Sequence, residues 1–215
     1  MRYASIAGYL LLIGALGGCA LGRDVVTVKA PEASTVTASN GKSVRIESVL
    51  DGRKFEAAPS QADIPSLDPD ADNGPDAKSR AIARKRGGFG KALGDVALAE
   101  GQSVSGLVEQ AISTGFKESG YTVVKKGDAN YESATPVSAT INQFWAWFSP
   151  GAWSVKVSQK SEIELNGAVI QPAGTATIST NVSESKGAVM VDDWKDIVEK
   201  GLKSITEETR KILSR

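Results

Sequence analysis

The chain has 215 residues, room for one ordinary domain with a leader and a long loop. Acidic and basic residues balance at 25 each, so bulk charge does not call for nucleic acid or another strongly anionic partner. There is no His and a single Cys, which excludes imidazole acid–base chemistry, an intramolecular disulfide and a Cys-His dyad.

The N-terminus reads "MRYASIAGYLLLIGALGGCALGRD". Arg2 gives a positive start, and Ala4 to Leu16 is an apolar run shorter than the ~20 residues a membrane span needs. The only Cys, Cys19, directly follows Leu16, Gly17 and Gly18. This "LGGC" resembles the lipobox of bacterial lipoproteins. The resemblance implies a signal peptide over 1–18, cleavage before Cys19, and a lipidated, acylated Cys19 as membrane anchor. Ala20 stands where an Asp would signal inner-membrane retention. The implied location is therefore the outer membrane, facing the periplasm.

Residues 19–42 are small, polar and rich in Ser and Thr, and read as a tether with a short strand near Val25–Val28. "SVRIESVLDGR" predicts the first strand, ending in a turn at Asp51-Gly52, with Arg53 paired to an acidic neighbour. Residues 56–91 turn first acidic and Pro-rich, then basic through Arg84, Lys85 and Arg86. They read as a charged, flexible, solvated insertion with one short helix starting after Pro75, and with lipid headgroups or an anionic partner as the functional alternative for the basic run.

"SVSGLVEQAISTGFKESGY" predicts the clearest helix. Val104, Leu107, Val108, Ala111, Ile112 and Phe116 recur on one face, between a Ser103 N-cap and a Gly120 C-cap. "YTVV" starts a strand. From Pro136 the pattern alternates with period two through "VSATINQFWAWF" and "WSVKVSQKSEIEL". Asn166-Gly167 signals a hairpin turn into "AVIQPAGTATISTNVS". A last helix carries Trp194, Ile197, Val198, Leu202, Ile205 and Ile212 on one stripe, with Asp192 as its expected N-cap. The expected domain, 43–213, is a two-layer α+β fold. Its sheet is mostly antiparallel with about four to five strands, and two helices pack on one face.

The lipobox, "VLDGR", a helix ending in "GFKESGYTVV", "ATINQFW", a hairpin and a C-terminal helix follow one another in an order that resembles the YajG-type family of bacterial envelope lipoproteins. The resemblance implies an accessory role in the envelope and names no site.

No Gly-x-Ser-x-Gly elbow, Walker A loop, HExxH or dinucleotide fingerprint occurs, and "RGGFGKALG" lacks Walker spacing. No cofactor or metal is expected, and Asp192 and Asp193 read as helix-capping acids. The remaining candidate is "NQFWAWFSPGAWSV", which holds three of the four Trp. Alternation sends Phe144, Ala146 and Phe148 to one face and Trp145 and Trp147 to the other, with Trp153 returning near Phe148. One aromatic set must therefore face away from the helices, where something should cover it. The expectation is a non-enzymatic module that binds an envelope partner through Phe144, Trp145, Trp147, Phe148 and Trp153. The alternative is a carbohydrate or peptidoglycan binder that stacks exposed Trp on sugar rings.

Overall fold

The computed structural model describes residues 22–33, 38–71, 73–86 and 92–214. In chain order these form β1 (Asp24–Val26), β2 (Ser43–Asp51), α1 (Pro75–Arg80), β3 (Ala81–Arg86), β4 (Ala92–Leu98) and α2 (Val104–Glu118). There follow β5 (Thr122–Val124), β6 (Thr135–Pro150), β7 (Val155–Gly167), β8 (Thr175–Lys186) and α3 (Val191–Leu213). Leu16 to Cys19 lie outside the described residues.

Among the described residues eight strands make one mixed sheet and there are three helices, which corrects the expected four to five mostly antiparallel strands. Strands β1–β4, β2–β5, β2–β6 and β3–β6 pair in parallel. Only β3–β4, β6–β7 and β7–β8 are antiparallel. The extra strands come from stretches whose composition reads as loop. Strand β3 falls inside the span expected as a solvated insertion, beside the short helix expected after Pro75, which is α1. Strand β1 matches the short strand expected within the tether, but Val26 and Val28 there are buried. Charge hid β3: Arg84 and Lys85 are both buried, because each is held by a partner.

The spine is β6. One edge pairs with β7 along nearly its whole length. The other edge is shared end to end: β2 takes Thr135 to Ile141, and β3 joins at Ala146. The sheet therefore forks between Ile141 and Ala146. A bulge there, between Ile141 and Gln143, inserts one residue and shifts the alternation. As a result Val137, Ala139 and Ile141 share a face with Phe144, Ala146 and Phe148.

That face carries α2 and α3. Ser103 caps α2 by accepting from the Gly106 N–H at 3.1 Å, and Gly120 ends it at φ +83°. The two helices meet at Gly115, where an added Cβ would lie 2.6 Å from Thr209 Cβ, and the Thr206 hydroxyl donates to Ala111 O at 2.9 Å. Helix α3 starts two residues earlier than its expected Asp192 cap would allow, with Met190 at the N-cap. Asp193 instead accepts from the Met190 N–H at 2.8 Å and pairs with Lys186 at 2.9 Å. The expected Asn166-Gly167 turn is also displaced. Both residues belong to the β7 end, and residues 168–174 form a longer connection that tucks Ile170 into the core.

Candidate functional site

The five aromatics of the β6–β7 hairpin go to three different places. Phe144 is fully buried in the helix-side core, and Phe148 packs on Trp194 of α3 with ring centroids 5.9 Å apart. Trp145 points to the opposite face yet is just as buried. Trp147 shares that face and is half-buried beside Ser158. Trp153 does not return beside Phe148, whose partner is Val157; it sits in the loop 151–154, closed by Gly151 N–H to Ser154 O at 2.8 Å. Its side chain is 97% exposed.

Trp145 is covered by the segment after β2. Phe55 meets it edge-on at 5.9 Å and 87°, with Leu67 and Ala81 completing a second, smaller core. Its indole N–H is buried without an acceptor among the described residues. The covering arm is strapped down by the residues expected to be solvated. Arg84 donates to Leu67 O, Arg86 to Pro59 O at 2.7 Å, and Asp95 accepts from the Asp68 N–H at 3.2 Å. Lys85 pairs with Asp24 of β1 at 3.0 Å. Burial first, and Arg84 second, lower the Arg86 guanidinium below its ordinary value. The basic run is thus turned inward, holding the arm and β1.

Arg53 sits in the fork of the sheet. Asp51 accepts from Arg53 Nε at 2.8 Å and from Nη2 at 2.7 Å. The same guanidinium donates to Ala81 O (2.7 Å), Lys78 O (2.7 Å) and Phe144 O (3.2 Å), while its face lies over the Phe55 ring. The acidic neighbour expected for Arg53 is therefore Asp51, two residues away. The carbonyl contacts, visible only once β3 and β6 are placed, give this side chain its larger role.

Beyond the arm the same face lies open. Trp147 is bordered by the buried Ser158 on β7 and then the exposed Ser183 on β8, and Trp145 by Lys160 and then Asn181. Thr175, Thr177, Ser179, Asn181, Ser183 and Ser185 are all exposed along β8, while Ile178 and Thr180 point to α3. Such a face offers hydroxyls, amides and one indole, a set suited to hydrogen bonding and stacking. A separate groove of about 970 Å³ lies between α2, β5 and residues 31–33. Glu32, Glu47 and Glu109 face Lys117, Lys125 and Lys126 there, so it favours neither sign of charge. Among the described residues no cluster of His, Cys, Asp or Glu is placed to hold a metal. No described helix is long and apolar enough to cross a membrane.

Fold and surface together define a mixed-sheet domain with α2 and α3 on one face and a polar, Trp-bearing open area on the other. No protein-family model matches the chain, and no curated protein does. Similarity to solved structures is found at low identity. Protein XCC0632 from Xanthomonas campestris, of the DUF330 family model, matches 89% of this chain and 92% of its own, at 12% identity and a TM-score of 0.44. An uncharacterized protein matches 88% of this chain and 98% of its own, at 8% identity and a TM-score of 0.42. A putative neuraminyllactose-binding hemagglutinin homolog from Helicobacter pylori matches 88% of this chain and 95% of its own, at 12% identity and a TM-score of 0.34.

Proposed function

We propose that the chain is a lipoprotein of the bacterial outer membrane, facing the periplasm, which acts without catalysis by binding another component of the envelope. The observation that carries the reading is the position of the single Cys, directly after a short apolar run and "LGG". The order of elements that resembles the YajG-type family supports the same compartment. Cys19→Ala should abolish incorporation of labelled palmitate, and a variant that still takes up label would sink the anchor.

Its contact surface is the open face around Trp147. Phe144, Trp145 and Phe148 are already occupied by packing. A photoreactive residue replacing Trp147 should give adducts in cells that one replacing exposed Glu207, on α3, does not. Equal adduct patterns would remove the face from consideration. The hydroxyl and amide border of Trp147 also favours a second reading, in which the ligand is the glycan of peptidoglycan and the indole stacks on a sugar ring. Sedimentation with purified sacculi separates the two, since Trp147→Ala should lower the pelleted fraction only if a sugar is the ligand.

A further inference from the structure

The strand registers place one end of the sheet together. Chain entry lies there: the Gly22 N–H donates to Leu93 O at 3.0 Å, and Ala92 pairs with Arg86. Strand β3 runs parallel to β6 with Ala83 opposite Ala146, so Arg86 reaches the level of the β6 end. At that level β6 turns into β7 at Pro150–Val155, and Val155 pairs with Lys186, the end of β8. Five residues later α3 begins at Val191 and runs away from this end. Gly22, the β6–β7 loop and the start of α3 are therefore neighbours in height along the sheet. Helix α3 also touches β1, and just beyond that strand the Lys29 N–H donates to Glu199 at 2.9 Å, so the sheet curls around the helix.

Exposed apolar side chains gather at this end. Among the described residues five large hydrophobics are exposed; Trp153 (97%), Met190 (67%) and Val191 (42%) belong to the β6–β7 loop and the start of α3. The other two, Val25 and Leu50, lie within strands. Gly22 is three steps along the chain from Cys19, which limits the distance between them to about 10 Å even when fully extended.

We infer that this end of the domain lies on the bilayer, with Trp153, Met190 and Val191 inserted at the lipid interface. The inference rests on the proposed lipidation of Cys19 and goes beyond it. An acyl anchor alone fixes only distance, whereas this contact fixes orientation. Trp is suited to the headgroup boundary because its ring is apolar and its N–H stays hydrated, and Met conforms to disordered chains. A short link also makes the contact nearly intramolecular, so a modest apolar patch suffices. The orientation leaves the open face around Trp147 lateral, available to a partner standing beside the domain.

The test uses the full lipidated protein in vesicles of phosphatidylethanolamine and phosphatidylglycerol. Lipidation consumes the only native thiol, so Trp153→Cys, Met190→Cys and Glu207→Cys can each take one environment-sensitive fluorophore. Glu207 lies sixteen residues along α3 from Val191, about 24 Å away at helical rise. With lipid spin-labelled high on its acyl chain, the labels at 153 and 190 should lose about half their intensity and the label at 207 almost none. Protein that floats with vesicles but is quenched equally at all three positions overturns the orientation and leaves the anchor standing. Protein that carries no lipid by mass and does not float overturns the anchor, and the orientation with it.

Discussion

The two faces of β6 solve the same packing problem by different means. On the helix side, Phe144 and Phe148 meet α2 and α3, elements whose apolar stripes are regular and long. On the other side, Trp145 meets an irregular arm held by hydrogen bonds from Arg84 and Arg86, with Arg53 bonded to the neighbouring Ala81 O. A buried aromatic therefore does not require a regular element above it. It requires cover, and charged side chains can supply that cover when their heads find backbone carbonyls.

The comparison breaks most visibly if the arm is a loose lid. Phe144→Ala and Trp145→Ala should each cost about 3–5 kcal/mol, since both empty a closed core. In urea unfolding, a Trp145→Ala cost under half that of Phe144→Ala would show that the arm does not pack as a core. Next in size is Arg53→Lys, which keeps the charge but loses the planar fork. Losing the guanidinium's bonds to Ala81 O, Lys78 O and Phe144 O should cost about 2–3 kcal/mol by the same measurement.

Within the helix layer, Gly115→Ala puts a methyl within 3.0 Å of Thr206 O and closer still to Thr209. The overpacking penalty, less the helix-forming gain of Ala, should leave about 1–2 kcal/mol lost. A stabilised variant would mean that α2 and α3 can part freely.

A smaller effect concerns the start of α3. Burial raises the Asp193 carboxyl, but the Met190 N–H and Lys186 outweigh it and leave the group below its ordinary value. A carboxyl depressed in the folded state stabilises above its unfolded pKa, about 3.9, and that contribution fades as pH falls through the folded value. Asp193→Ala should thus cost about 1 kcal/mol at neutral pH, with the gap from the parent closing below about pH 4. A pH-independent gap would show that the side chain acts through shape alone. Smallest of all, Trp153→Ala should shift stability by no more than about 0.5 kcal/mol, because nothing in the domain packs on it. A larger loss would return Trp153 to the core.

Much of the chain was legible because its periodicity was local. The stripes of α2 and α3 and the alternation of β6 to β8 announce themselves within a dozen residues. The split of Phe144 from Trp145 follows from the same alternation. What escaped depends on distant partners. Arg84, Lys85 and Arg86 read as wet until Leu67, Asp24 and Pro59 are in place to receive them. The bulge at Asn142 has no sequence mark, because a shift of register exists only against β7. Arg53 could have been suspected from one signal, an Arg directly after a strand and a turn, followed two residues on by an aromatic it can stack upon.

The fork in the sheet has a mechanical consequence. Tension applied at the N-terminal side of the domain enters β1, passes to β4 and β3 through ladders several pairs long, and then meets the spine. There the ladder is one pair long, Ala83 with Ala146, and the Arg53 guanidinium bridges the space beside it. On the far side, β7 and β8 grip the spine and each other along twelve or more residues. Within the sheet the β1–β4–β3 blade is therefore the seam that yields first under load, and one arginine is its rivet.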